Sequence, residues 1–284
     1  MYRTLRGWLA IAAATLLSGC GLVEGVLAFH GYAPKRLSIE TLDGRLRPHD
    51  AWFLPEAAVH PGRRPGVLLV PGCAGTQPFH RRWAEFLRDE GFVVLLVDSF
   101  AARGRTTLAE IEGACEGAHT WGFERAGDVL VSLRALRAHP RVGDAPLGAI
   151  GWSHGGWSVM DAAALAGAGR RPPLLEALPG DALENLGAVV ALYPYCEYGS
   201  FTGPLGWPEG IPGLLVLAAR DENIEPEPCR RLVAEQAAAG RPLEQLTLDV
   251  DHWFDNPGGF HIVPHDHDEA ATRTVRERVL SRLR

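Results

Sequence analysis

Three residues far apart in this 284-residue chain, Ser153, Asp221 and His252, are of the types that together make a nucleophile. A serine hydroxyl attacks a carbonyl only when a base takes its proton, and the base needs a third group to fix its tautomer. The chemistry of such a trio is acyl transfer through a covalent serine ester. Ser153 stands in Gly151-Trp152-Ser153-His154-Gly155, after the apolar run Leu147-Gly148-Ala149-Ile150 and before the helix-prone Trp157 to Leu165. Strand, tight turn and helix in that order make a nucleophile elbow, with glycines where strand and helix nearly collide. The pentapeptide alone is weak in a chain of 33 glycines; its context strengthens it.

The partners follow downstream in the order acid, then base. Gly213 to Ala219 reads as a buried parallel strand, and Asp221 comes directly after it. Carboxyl ends of such strands are where open α/β sheets place their ligands. Leu243 to Val250 alternates like a strand and runs into Asp251-His252-Trp253-Phe254-Asp255. Asp221 is therefore the expected orienting acid and His252 the expected base. Asp251 is the poorer acid, because adjacent side chains rarely face each other. The backbone N–H of His154, at the start of the elbow helix, faces any oxyanion formed on Ser153.

These residues carry a family resemblance. Pro71-Gly72-Cys73-Ala74-Gly75, Asp98-Ser99-Phe100 with Arg103-Gly104, Gly151 to Gly156, and His252-Trp253-Phe254-Asp255 resemble the dienelactone hydrolase family of α/β-hydrolases, from about Leu37 onward. The resemblance implies an α/β-hydrolase fold and a carboxylic ester or lactone as substrate, with no cofactor. It also implies that the backbone N–H of Cys73 is the second oxyanion donor. The founding enzymes use a cysteine nucleophile and a glutamate in the first strand–helix turn. This chain has Ser153 at the elbow and Pro71-Gly72 in that turn, so it resembles the serine members, and dienelactone itself is not the expected substrate. Cys73 as nucleophile is set aside because no base lies near it in sequence. Trp152, Arg103, Tyr193 and Trp253 are the candidates for substrate contact, although Arg103 has a salt bridge to Asp98 as its alternative. Trp121, Phe123, Tyr193, Tyr195, Trp207, Trp253 and Phe254 gather at the expected site loops, where they could line an apolar acyl or aryl pocket.

The amino end sets an expected compartment. Arg3 and Arg6 precede an apolar run from Trp8 to Leu17, too short to span a bilayer. Leu17-Ser18-Gly19-Cys20 looks like a bacterial lipobox, which gives a signal peptide over 1–19 and an acylated Cys20. More than one acyl chain on Cys20 makes a stable membrane anchor, and Gly21 after it points to the outer membrane, facing the periplasm. Residues 20–36 read as a tether and 37–284 as one hydrolase domain.

Four further cysteines then occupy an oxidising space, where thiols pair. Three connectivities are open to them. Neighbouring strand ends and the family resemblance favour Cys196 with Cys229, which leaves Cys73 with Cys115. No Cys-x-x-Cys spacing marks a metal site, and His261, His265, His267, Asp266 and Asp268 read as a solvated stretch capping the last helix. A net charge of −6 offers no basic field for nucleic acid. Peptidase or acyltransferase chemistry on the same trio is the alternative reading, as is a binding lipoprotein without catalysis.

The elements that must position these residues alternate. Strands at Gly66–Val70, Phe92–Val97, Leu147–Ile150, Ala188–Leu192, Gly213–Ala219 and Leu243–Val250 are interleaved with helices near His80–Arg88, Phe123–Ala138 and Glu269–Leu283. That order implies a mostly parallel sheet with helices on both faces. Leu37 to Leu42, Asp43-Gly44 and Arg45 to Leu54 read as an edge hairpin. Ala101–Trp121 is expected to be a long loop over the site. Ala168 to Gly187 has no assigned element.

Overall fold

The computed structural model describes residues 35–258 and 267–284. Its centre is a seven-stranded sheet: β1 (Ala51–Phe53), β2 (Gly66–Val70), β3 (Val93–Leu96), β4 (Leu147–Trp152), β5 (Leu186–Leu192), β6 (Gly213–Ala218) and β7 (Leu243–Leu248). The strands lie in the order β1-β3-β2-β4-β5-β6-β7, all parallel except β1, which runs antiparallel to β3. This is the expected α/β-hydrolase architecture. Strands buried on both faces need apolar residues at every position, and β2, β3, β4 and β6 are buried throughout.

The helices are α1 (Ile39–Leu46), α2 (Pro78–Asp89), α3 (Leu108–Cys115), α4 (Gly122–Ala138), α5 (His154–Gly167), the single turn α6 (Thr202–Leu205), α7 (Glu227–Ala238) and α8 (Glu269–Leu283). Alternate residues of the strands serve two cores. Leu68 and Val70 of β2 meet α1, α4, α5 and α7 on one face. Val67 and Leu69 meet α2 and α8 on the other, where Phe79, Trp83, Val275 and Val279 are buried. Asp268 caps α8, its carboxylate accepting from the Ala271 N–H at 2.8 Å. Among the described residues no helix is long and apolar enough to cross a membrane.

The expected edge hairpin is corrected. Residues 39–46 are helical, and only Ala51–Phe53 forms a strand, on β3. Ser38 caps the helix by accepting from the Thr41 N–H at 3.1 Å. Leu42 and Leu46, four apart and fully buried, put one helical face on the core. Burying each contributes about 1.5–3 kcal/mol, so the helical period outweighs the alternation of Leu37, Ile39 and Thr41, and Asp43-Gly44 is helix interior. Residues 101–121 are also more ordered than a loop. A capping box, in which Thr107 and Glu110 each bond the other's end of the turn, starts α3.

Candidate active site

β2 leads left to β3 in the sheet while β4 lies to its right, so a crevice opens between the carboxyl ends of β2 and β4. This is the topological switch point at which open α/β sheets bind ligands. Ser153 follows β4 with φ 52° and ψ −117°, a strained geometry for a residue with a side chain. The turn is possible only because its flanks are glycine. A Cβ on Gly151 would come within 2.2 Å of the Gly155 carbonyl oxygen, and one on Gly155 within 2.0 Å of the Val70 carbonyl oxygen. The strain thus serves close contact between β2, β4 and the start of α5.

Asp221 follows β6 and His252 follows β7, so adjacent strand ends bring the two together. His252 Nδ1 donates to Asp221 Oδ2 at 2.7 Å, and both side chains are almost fully buried. The other carboxylate oxygen, Oδ1, accepts from the N–H groups of Asn223 and Ile224, each at 2.9 Å. With three donors holding it, Asp221 fixes the His252 tautomer that leaves Nε2 free to act as a base. Asp251 does not compete: its carboxylate accepts from the His252 backbone N–H at 2.6 Å.

Behind His252 lies a feature without a signal in sequence spacing. Tyr193, its ring centroid 4.4 Å from that of His252, donates its hydroxyl to Asp255 Oδ1 at 2.8 Å. Asp255 Oδ2 accepts from the indole N–H groups of Trp83 and Trp152, both at 2.8 Å. Burial pushes the Asp255 carboxyl upward, while these donors hold it down. Indole N–H groups can only donate, so the partners match an ionised acceptor. Trp152 and Tyr193, expected to touch substrate, are nearly inaccessible members of this hub, and with Ser153 and Trp253 they line a narrow crevice. Trp253 stays near the site, with φ 63° and its ring 5.8 Å from His252.

On the other side Arg125, 0% exposed, links the turn after β2 to the start of α5. Its Nη2 donates to the Pro71 carbonyl at 2.8 Å, and its Nη1 to His154 Nδ1 at 3.0 Å. His154 Nε2 lies 2.7 Å from the Thr120 carbonyl and must donate to it, so the ring is neutral. Burial, with the nearby Arg125 charge, lowers the His154 pKa to about 3. Arg125 itself is lowered by burial to about 9 and stays a cation at neutral pH. Its guanidinium also lies over the Phe100 ring, 4.6 Å from the centroid.

Arg103 makes a bidentate pair with Asp128 at 2.5 and 3.0 Å, a partner that sequence reading did not name. Asp98 instead accepts from the N–H groups of Thr76, Phe100 and Ala101. Trp207 is misplaced by sequence: it is buried against Gly213 at the start of β6, the end of the sheet away from Ser153. Phe123 and Phe254 are core residues.

A cavity of about 300 Å³ opens beside Ser153, Cys73 and His154. Trp121 and Tyr195, from the expected aromatics, line it together with Trp157, Tyr198 and Ile224, which sequence reasoning missed. Trp157 had a signal: four residues after Ser153, it lies on the same face of the elbow helix. The 101–121 segment overhangs as expected, Ala114 to Gly117 forming one wall. Both expected disulfides are present. Cys73–Cys115 ties the turn after β2 to the end of α3, and Cys196–Cys229 ties the segment after β5 to the start of α7. Among the described residues no group of three or more His, Cys, Asp or Glu side chains could hold a metal ion. Cys20, His261, His265 and Asp266 lie outside the described residues.

Residues 52–170, which include the oxyanion turn and the elbow, match the model of the dienelactone hydrolase family. The fold of the chain is shared with solved structures of low identity. One is a dienelactone hydrolase-like promiscuous phosphotriesterase from metagenomic libraries, with TM-score 0.61 and 22% identity, covering 78% of this chain and 86% of that one. Another is Thermogutta terrifontis esterase 2 phosphonylated by sarin, with TM-score 0.55 and 13% identity over 82% of this chain and 89% of that one. The same esterase with propionate bound gives TM-score 0.55 at 15% identity, over 82% and 88%. No curated protein matches the sequence.

Proposed function

We propose that the chain is a serine hydrolase that cleaves a carboxylic ester or lactone through an acyl-enzyme. The observation that carries this reading is the buried Asp221–His252 pair, formed at the strand ends beside an elbow that holds Ser153 in a strained turn. In the reaction Ser153 Oγ attacks the carbonyl carbon while His252 Nε2 takes its proton. Negative charge moves to the carbonyl oxygen, where the backbone N–H groups of Cys73 and His154 receive it. His252 then protonates the leaving oxygen, and water repeats the sequence on the acyl-enzyme to release the acid and free Ser153. The capture of a structurally similar esterase by sarin supports probing this serine with a phosphonate.

The test is hydrolysis of p-nitrophenyl acetate by the parent and three variants. Ser153→Ala and His252→Ala should each lose about 10⁶-fold in kcat, and Asp221→Asn about 10⁴-fold, since the acid only orients and compensates the base. A Ser153→Ala protein within tenfold of the parent refutes the assignment. We also propose that Cys20 carries a lipid anchor holding the enzyme at the outer membrane, facing the periplasm; the support is the Leu17-Ser18-Gly19-Cys20 motif. Detergent-phase partitioning that is lost in Cys20→Ser supports the anchor, and a soluble parent protein rules it out.

A further inference from the structure

The cavity beside Ser153 has a side and a charge. Its wall includes Ser153 and both oxyanion residues, Cys73 and His154, but not His252. In acyl transfer the leaving oxygen must face the base that protonates it, so the leaving group lies toward His252. The opposite substituent of the carbonyl is the acyl chain, which therefore enters the cavity. The wall there is made of wide, flat groups: Trp121, Trp157, Tyr195 and Tyr198, with Ile224 and the Cys73–Cys115 bridge. Trp121 sits 6.3 Å from Trp157 and 6.2 Å from Tyr198, centroid to centroid, and Trp157 sits 4.9 Å from Tyr195. Such a set offers ring faces and edges for a planar guest at 4.5–7 Å separations. A volume of about 300 Å³ stands at the small end of ligand sites.

The charge is equally specific. Among the described residues the one carboxylate in the wall is Glu116, and burial together with a second carboxylate, Glu197, pushes the Tyr195 hydroxyl pKa up. His154 is neutral, with both ring nitrogens engaged. Arg125 is sealed behind His154, and Arg103 is spent on Asp128. An acyl group bearing its own carboxylate would meet Glu116, with no Lys or Arg among the described residues that line the cavity, and would lose water on entering.

We infer that, given the hydrolase reading above, the acyl group taken by this site is uncharged and carries an aromatic or similarly flat apolar body, and that acyl groups bearing a carboxylate are rejected.

The experiment measures kcat/KM for two pairs of p-nitrophenyl esters with the full chain. The valerate and monoglutarate esters share length and differ by one carboxylate; the phenylacetate and acetate esters differ by one ring. The valerate should exceed the monoglutarate by tenfold or more at low salt. That ratio should shrink in Glu116→Gln, and in the parent as salt screens the rim. The phenylacetate should exceed the acetate by tenfold or more. Tyr198→Ala, at a side chain already 60% exposed, should cut this second ratio without unfolding the protein. A monoglutarate cleaved as well as the valerate, or a phenylacetate no better than the acetate, overturns the inference while leaving the hydrolase intact. A folded protein that cleaves none of the four and takes no fluorophosphonate refutes the hydrolase reading, and the inference with it.

Discussion

Behind the oxyanion arms the molecule buries a cation, Arg125; behind His252 it buries an anion, Asp255. Arg125 donates to two acceptors on two elements, the Pro71 carbonyl after β2 and the His154 ring at the start of α5. Asp255 accepts from three donors on three elements, Trp83 of α2, Trp152 of β4 and Tyr193 after β5. Each charge gathers the parts of its own wall, and the two signs are not interchangeable. In the proposed reaction negative charge grows on the carbonyl oxygen and positive charge on His252. A buried cation lies behind the first and a buried anion behind the second, so the fixed charges run along the charge separation of the transition state. Fixed charges in a water-poor site act without having to reorganise when reaction occurs.

The comparison breaks most severely at Asp255. Asp255→Ala leaves three buried donors unpartnered, and at about 1–3 kcal/mol each the loss should be at least about 3 kcal/mol, read from urea unfolding. Tyr193→Phe removes one of those bonds and should cost about 1 kcal/mol with a lower kcat, because the ring beside His252 is freed. If Asp255→Ala unfolds at the parent's urea midpoint, the hub is not an ionised acceptor.

On the opposite wall, Arg125→Met should lower kcat about 100-fold, the size of losing one oxyanion donor, with KM nearly unchanged. Arg125→Lys should recover part of this, because a point charge restores the field but not a fork spanning two acceptors. A rise in KM with kcat intact would place Arg125 in substrate binding instead.

The disulfides sharpen the same contrast. In the entropic account either bridge, closing 42 or 33 residues, contributes about 4 kcal/mol. Replacing Cys73 and Cys115 by serine should also lower kcat about tenfold, because Cys73 carries a proposed oxyanion N–H. Replacing Cys196 and Cys229 should cost a similar stability with kcat almost unchanged. Equal effects on kcat would remove the distinction.

The smallest effect is in pH. His80, buried beside Trp152, has its pKa lowered by burial from 6.5 to about 3. Between those values the unfolded chain takes up a proton that the fold refuses. The contribution of His80 is therefore full above about pH 6.5 and is lost as pH falls toward 3. A His80→Gln protein should lose stability less steeply over that window, by up to about 1.4 kcal/mol per pH unit for the one proton. A parallel pH profile would mean that His80 is protonated in the fold.

Where sequence and structure agree, the agreement rests on local rules. The elbow is a strand–turn–helix with glycines at fixed offsets, and Asp221 and His252 follow strands whose hydrophobic runs announce them. What escaped was built from side chains with no common spacing. Residues 83, 152, 193 and 255 meet only because α2, β4, β5 and the segment after β7 converge, so no spacing in the sequence showed that the polar atoms of Trp152 and Tyr193 are committed to Asp255. The Asp128 partner of Arg103 was hidden likewise: Asp98 is close in sequence, while Asp128 on α4 is close in space. Residues 37–54 misled because Leu37, Ile39 and Thr41 alternate while Leu42 and Leu46 carry the burial.

The central claim is that Ser153 is the nucleophile and that His252 activates it. The direct measurement is fluorophosphonate labelling followed by intact mass and peptide mapping. The account predicts one adduct per chain, on the peptide containing Ser153, with labelling slowed at least a thousandfold in a folded His252→Ala protein. An adduct on a different serine, or a Ser153 that labels equally fast without His252, would contradict it.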